Sequence, residues 1–143
     1  MQPAASSSFN WPPNKYYTGV NYFRSKITVA DISDGVSNTY MVGEKFLNPD
    51  LYSTGQGNAD NHSQFQGFDR DVNRWAGPDS PPLQDVPGAD LEFNFGSAHG
   101  VGFYMALCDG STQFINYSID LEIYRRMANR MDGQPTQLQA AYR

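Results

Sequence analysis

From Val101 the chain alternates. Val101, Phe103, Met105 and Leu107 fall on every second position and predict a strand with one apolar face. Asp109-Gly110 follows, a dipeptide suited to a two-residue type I′ turn. That turn pairs Leu107 with Thr112, Met105 with Phe114 and Phe103 with Asn116. Phe114 then joins Met105 and Phe103 on the apolar face. The hairpin within 97–116 is the strongest local pattern in the chain, and the remaining segments are read around it.

Tyr16 to Lys26 is rich in aromatic residues and predicts a strand without clean alternation. Thr28 with Asp31 three positions on resembles a capping box, and Gly35 is placed to stop the short helix that follows. Thr39 to Phe46 predicts a strand with Tyr40, Val42 and Glu44 on one face. Asn48 to Gly88 has loop character, with five prolines and few apolar residues; Leu51, Tyr52, Phe65, Phe68 and Trp75 are its expected anchors. Leu91, Phe93 and Phe95 alternate with Glu92 and Asn94 and predict a strand. Asp120 caps a predicted helix over 121–131, whose apolar stripe is Leu121, Tyr124, Met127, Ala128 and Met131. Arg125, Arg126, Asn129 and Arg130 fall on its other side, with Gly133 and Pro135 as end signals. The elements together predict an α+β fold: a mainly antiparallel sheet, a C-terminal amphipathic helix (121–131) and a long loop (48–88). The expected organisation is a flexible segment 1–15, one globular domain 16–135 and a peripheral tail 136–143.

Composition narrows the function. With 143 residues the chain can bury a core as one domain. Its net charge is −5 and its basic residues do not cluster, which argues against a nucleic-acid surface. No apolar run reaches the roughly 20 residues of a membrane span. A single cysteine, Cys108, excludes an internal disulfide, and no basic neighbour activates its thiol.

Candidate chemistry is sparse. Asp69, Asp71 and Asn73 are spaced like the first three oxygen ligands of a calcium loop, but Arg74 and Ser80 stand where Gly and Glu are required. Either Ca²⁺ orders the long loop, with Asp60 and Asn61 adding oxygens, or these aspartates are solvated and paired with Arg70 and Arg74. His62, His99 and Cys108 are too few for structural zinc. Ser97 and His99 share a strand face without a nucleophile elbow, so no enzyme is expected. Trp11, Tyr16, Tyr17, Tyr22 and Phe23 crowd the N-terminal quarter, either as core cover or as a contact surface for a partner subunit or a glycan.

Two segments carry a family resemblance. His99, nine intervening residues and Asp109-Gly110 resemble the signature of a prepilin-associated C-terminal domain found in planctomycete bacteria. The run from Ile32 to Thr39, which contains Asp34, Gly35 and Asn38, followed by Met41 to Lys45, is similar to the Asp-Gly-x-Ser-Asn-Thr and Gly-Glu element of the same family. Further similarity lies in 67–74, 95–100 and 118–120. The resemblance implies an exported, cell-surface protein whose relatives begin with a pilin-type hydrophobic helix. That helix is not within these residues, so the expectation is a C-terminal piece of a longer protein or a member without the anchor, and membrane attachment only through an upstream helix. Ten residues of strand span roughly 33 Å. His99 and Asp109 are therefore read as structural, one leading into the strand and the other making the turn. The expected function is a non-enzymatic, pilin-like structural or adhesive subunit that forms homo-oligomers or filaments. The alternative is an extracellular glycan- or solute-binding module that uses the 48–88 loop.

Overall fold

The computed structural model describes residues 17–65, 67–134 and 136. The segment 1–15, with Trp11, together with Tyr16 and all of the tail except Thr136, lies outside the described residues. The fold is α+β. A three-stranded antiparallel sheet has the order β1-β4-β5, with β1 Tyr40–Gly43, β4 Gly102–Leu107 and β5 Thr112–Asn116. A two-residue parallel pair joins β2, Leu83–Gln84, to β3, Gly96–Ser97. Among the described residues one α-helix, α1, covers Leu121–Met127. No helix among the described residues is long and apolar enough to cross a membrane.

The hairpin forms where the alternation places it, but its register is one residue off the expected one. Phe103 pairs with Ile115, Tyr104 with Phe114 and Met105 with Gln113. The loop holds three residues, not two. Gly110 N–H closes on the Leu107 carbonyl at 3.0 Å, and Leu107 N–H reaches the Ser111 carbonyl at 2.8 Å. Gly110 takes φ 86°, whereas Asp109 keeps a negative φ. A type I′ turn needs positive φ at both central residues, so the chain adopts a three-residue loop with a left-handed glycine instead. The Asp109 carboxylate holds that choice by accepting from the Ser111 N–H at 2.9 Å and its hydroxyl at 2.6 Å. A one-residue slip moves every side chain of β5 to the other face. Ile115 is therefore fully buried opposite Phe103, and Phe114 lies outside the core, against Tyr104.

β1 departs from alternation at a bulge. Tyr40 pairs with Leu107 and Val42 with Ala106, which leaves Met41 as the extra residue. Tyr40 and Gly43 therefore turn inward, and Val42 is 61% exposed where the pattern expected it beside Tyr40. Gly43 is required by close approach: a Cβ there would overlap Met105 Sδ and press on the Phe95 ring. Beyond Gly43 the chain pairs with 94–96, through Phe46 N–H to the Asn94 carbonyl and Gly96 N–H to the Glu44 carbonyl, both at 3.1 Å.

The predicted strands at 16–26 and 91–95 do not form. Arg24 sits at φ 59° and Ser25 N–H turns back to the Tyr22 carbonyl, which ends any extended run. Asn94 N–H bonds to the Leu91 carbonyl, so 91–94 is a turn, and Phe93 packs edge-on against Trp75 at the surface. Thr28 and Asp31 do form the expected exchange. The Asp31 carboxylate accepts from the Thr28 N–H and hydroxyl at 2.8 and 2.7 Å, but the turn is 3₁₀ and covers only Val29–Asp31.

Asp120 caps α1 through bonds from Glu122 and Ile123 N–H. The helix ends at Met127 rather than at 131. Arg130 N–H leaves the helical ladder for the Thr18 carbonyl at 3.0 Å, and Arg130 and Asn129 are buried instead of facing solvent. Tyr124 and Met127 enter a core with Tyr40, Phe103, Met105, Leu107, Ile115 and Ile119. Met131, beyond the helix, is 42% exposed. Among the expected anchors of the long loop, Tyr52, Phe65, Phe68 and Trp75 are all exposed.

Candidate functional site

The Asp34–Thr39 segment ties three parts of the chain together. The buried Asp34 carboxylate accepts from the backbone N–H of Asp132 at 2.7 Å and of Gly133 at 3.0 Å. Its own N–H donates to the Arg130 carbonyl at 3.2 Å. Gly35 adopts φ 97°, and Asn38 closes the turn with N–H to the Gly35 carbonyl and Nδ2 to the Asp34 carbonyl. Thr39, fully buried, donates its hydroxyl to the Gly35 carbonyl. The Thr39 and Val36 carbonyls then receive the N–H groups of Cys108 and Asp109 from the hairpin loop. Arg130 completes the tie, with Nη1 donating to the Tyr17 and Gly19 carbonyls at 2.6 and 2.7 Å.

His99 and Asp109 stand at opposite ends of β4. His99 is exposed. Its N–H donates to Ser97 Oγ, its carbonyl accepts from the Tyr117 hydroxyl, and Nε2 lies 3.9 Å from Glu44 Oε1. Ser97 is buried and donates its hydroxyl to the Gly102 carbonyl at 3.0 Å. Burial pushes the Cys108 thiol pKa up, and Sγ rests 3.7 Å from the Tyr40 carbonyl.

Polar residues hold the long loop where apolar anchors were expected. Lys45 Nζ donates to the Ala59 carbonyl, the Asp60 carboxylate and the Asp71 carbonyl at 2.8, 2.7 and 3.2 Å. The Asp71 side chain is 2% exposed; Oδ1 accepts from Asn61 N–H at 2.9 Å and Oδ2 lies 3.1 Å from His62 Nδ1. Ligand atoms of His62, Asp69 and Asp71 all lie within 4.8 Å of one another. The backbone N–H of Asp71 holds the Asp69 carboxyl below its usual range, helped by His62. Asn73 is not part of this group. Its Oδ1 accepts from Asn21 and its Nδ2 donates to the Asp69 carbonyl, so both ends of the amide are engaged. One imidazole and two carboxylates form a mixed nitrogen and oxygen donor set, closer to zinc or manganese chemistry than to the all-oxygen shell of calcium. His62 lies nine residues before Asp71, outside any local ligand spacing; only closure of the loop brings it in.

Two surfaces complete the inventory. A cleft of about 930 Å³ opens between 19–24, β1 and 64–74, with Tyr22, Phe23 and Phe68 beside Asn21, Asn73 and Lys45. Tyr22 stacks on Tyr17 at 5.1 Å, with the Arg130 guanidinium 5.7 Å from its ring centre. On the outer face of the three-stranded sheet, Val42, Tyr104 and Phe114 are 61, 48 and 42% exposed. The Tyr104 ring contacts Phe114 at 5.2 Å and the His99 ring at 6.4 Å.

A family model described as a protein of unknown function (DUF1559) matches residues 3–122. The chain belongs to that family. No curated protein and no solved structure matches it. The DUF1559 match takes in the Asp34 segment, the long loop, the sheet and the first two residues of α1. Arg130, Asp132 and Gly133, which the Asp34 segment grips, lie beyond it. Within the DUF1559 region, Asp34, Asn38, Thr39, Ser97 and Asp109 all bond to backbone groups, and His62, Asp69 and Asp71 form a group on the long loop.

Proposed function

We propose that this chain is a non-enzymatic structural or adhesive subunit of an exported, pilin-related surface assembly, and that it associates with copies of itself. The observation that carries this reading is the outer sheet face. Val42, Tyr104 and Phe114 leave apolar and aromatic area in contact with water on one side of a single sheet, while the opposite side is filled by α1 and the core. Contiguous exposed patches of this kind mark contact sites. The hairpin and Asp34 segments that carry the prepilin-associated resemblance build the frame that presents this face. The test is sedimentation velocity and electron microscopy on the chain and on a Val42→Glu/Tyr104→Lys variant. The reading expects concentration-dependent assembly that the double variant weakens. A wild-type chain that stays monomeric at high micromolar concentration overturns it.

A second reading rests on the cleft. Its size suits a small ligand, and aromatic faces beside amides and an ammonium group are the chemistry that holds a sugar ring. Binding on a glycan array that is lost in Phe68→Ala favours this reading over the first.

A further inference from the structure

We infer that β5 pairs edge to edge with β5 of a second copy, antiparallel and centred on Gln113. This rests on the self-association reading above and names the contact that would carry it. β5 is an outer strand of the sheet order β1-β4-β5. The bonds at Leu107–Ser111 and Tyr117–Val101 fix the ladder phase, so Met105–Gln113 and Phe103–Ile115 exchange hydrogen bonds across the hairpin. The N–H and C=O groups of Thr112 and Phe114 therefore point away from β4, to an edge that no described strand occupies.

Edges left open in this way are normally blunted by charge, proline or a bulge. The sheet's other margin, β1, has a bulge at Met41 and is followed by Glu44. β5 has none of these: Thr-Gln-Phe-Ile-Asn carries no charge and no proline, and its pairing runs unbroken from Gly102–Asn116 to Ala106–Thr112. In a chain of net charge −5, an uncharged strand is where two copies meet with least repulsion.

The register follows from the two free residues. An antiparallel two-fold centred on Gln113 sets Thr112 opposite the partner copy's Phe114 and gives about four new backbone hydrogen bonds, all from groups facing outward. Gln113, partly buried, meets its own copy across the axis and can bond amide to amide. On the outer face the two Phe114 rings become diagonal neighbours roughly 7–8 Å apart, a distance aromatic rings bridge. The exposed Tyr104 and Phe114 pairs of both copies then form one continuous strip.

The test places like charges at the axis. Wild type, Gln113→Lys and Gln113→Glu are compared by sedimentation equilibrium, and the two variants are then mixed in equal amounts. Each variant alone is expected to weaken association on the order of tenfold or more, and the mixture to restore it. Hydrogen exchange at the Thr112 and Phe114 amides should slow on association of the wild type and of the mixture. Circular dichroism melts of each variant report whether the fold is kept. Association that persists in both single variants, with these amides still exchanging freely, overturns the β5 contact while leaving self-association through another surface. A monomeric wild type overturns both. Loss of assembly in both variants without recovery on mixing also counts against the Gln113 axis.

Discussion

Replacing Asp34 with alanine removes an acceptor that two backbone N–H groups share, those of Asp132 at 2.7 Å and Gly133 at 3.0 Å. Hydrogen bonds to a charged partner are worth about 1.5–3 kcal/mol each. Gly133 is exposed and Asp132 half-buried, so water recovers part of the loss, and the net cost should be about 2–3 kcal/mol. Asn at position 34 keeps one acceptor oxygen and should cost about 1 kcal/mol. With a urea m-value of about 1.5–2 kcal/mol/M for a chain of this size, Asp34→Ala should lower the unfolding midpoint by roughly 1–2 M at unchanged m. Limited proteolysis should also open 130–134 first, because that segment loses its clamp. A midpoint shift below about 0.3 M would refute the structural role given to the Asp34 motif. A gain in stability would point the other way, to a carboxylate kept for a ligand at the expense of the fold.

Arg130→Ala should free the segment 17–22, detected as faster hydrogen exchange there, because three bonds to its carbonyls come from this one residue and only the backbone one survives. Gly110→Ala should cost about 1 kcal/mol, since φ 86° is strained for alanine while the space around it is open; Gly110→Asn should cost less, and equal melts for all three proteins would contradict the three-residue loop. Acid should destabilise the fold. Hydrogen bonds from Arg125, then Arg126, pull Glu122 from 4.5 down to about 2, and those from Ser111 and Thr28 lower Asp109 and Asp31. Groups depressed in the folded state contribute fully above the unfolded pKa and lose that contribution as pH falls through the folded one, so melting temperature should drop from about pH 5 toward pH 2, less steeply in Glu122→Gln. At the alkaline end, the hydrogen bond to Asp85 raises Tyr52 from 10.0 to about 12, so its phenolate absorbance should appear late and Asp85→Asn should bring it forward.

The strand β4 and the cap at Asp120 could be read directly, because alternation and N-cap chemistry are local. The register of the hairpin could not. Asp-Gly suits a two-residue loop or a three-residue one, and the difference lies in the sign of φ at Asp109, which the Ser111 contacts decide. Phe114 and Ile115 are adjacent, so either could have supplied the core; the loop alone selects Ile115. The helix end failed for a different reason. Met131 and Gly133 continue the helical pattern, but the Thr18 carbonyl and the Asp34 carboxylate compete for the N–H groups of 130, 132 and 133, and that tertiary competition leaves no trace in a 3.6-residue period. The long loop misled because hydrophobic side chains were sought as anchors. Lys45 and Asp71 hold it with polar bonds, and the pairing of Asp71 with His62 has no fixed spacing to detect.

The residues that carry the strongest sequence resemblance bear on function indirectly. Asp34, Asn38, Thr39, Ser97 and Asp109 all bond backbone groups, whereas Val42 of the same resemblance stands on the outer face and Lys45 and Phe68 line the cleft. A pattern of this sort preserves a frame: a hairpin loop clamped to a turn, and that turn clamped to the chain beyond α1. The outer sheet face and the β5 edge meet at Phe114, whose ring lies over Gly102 on the face while its backbone faces the open edge. Had the loop held two residues, Phe114 would have entered the core opposite Met105. The single extra loop residue at the Asp109 reversal therefore decides which of two adjacent side chains fills the core, and it leaves the Phe114 ring on the outer face.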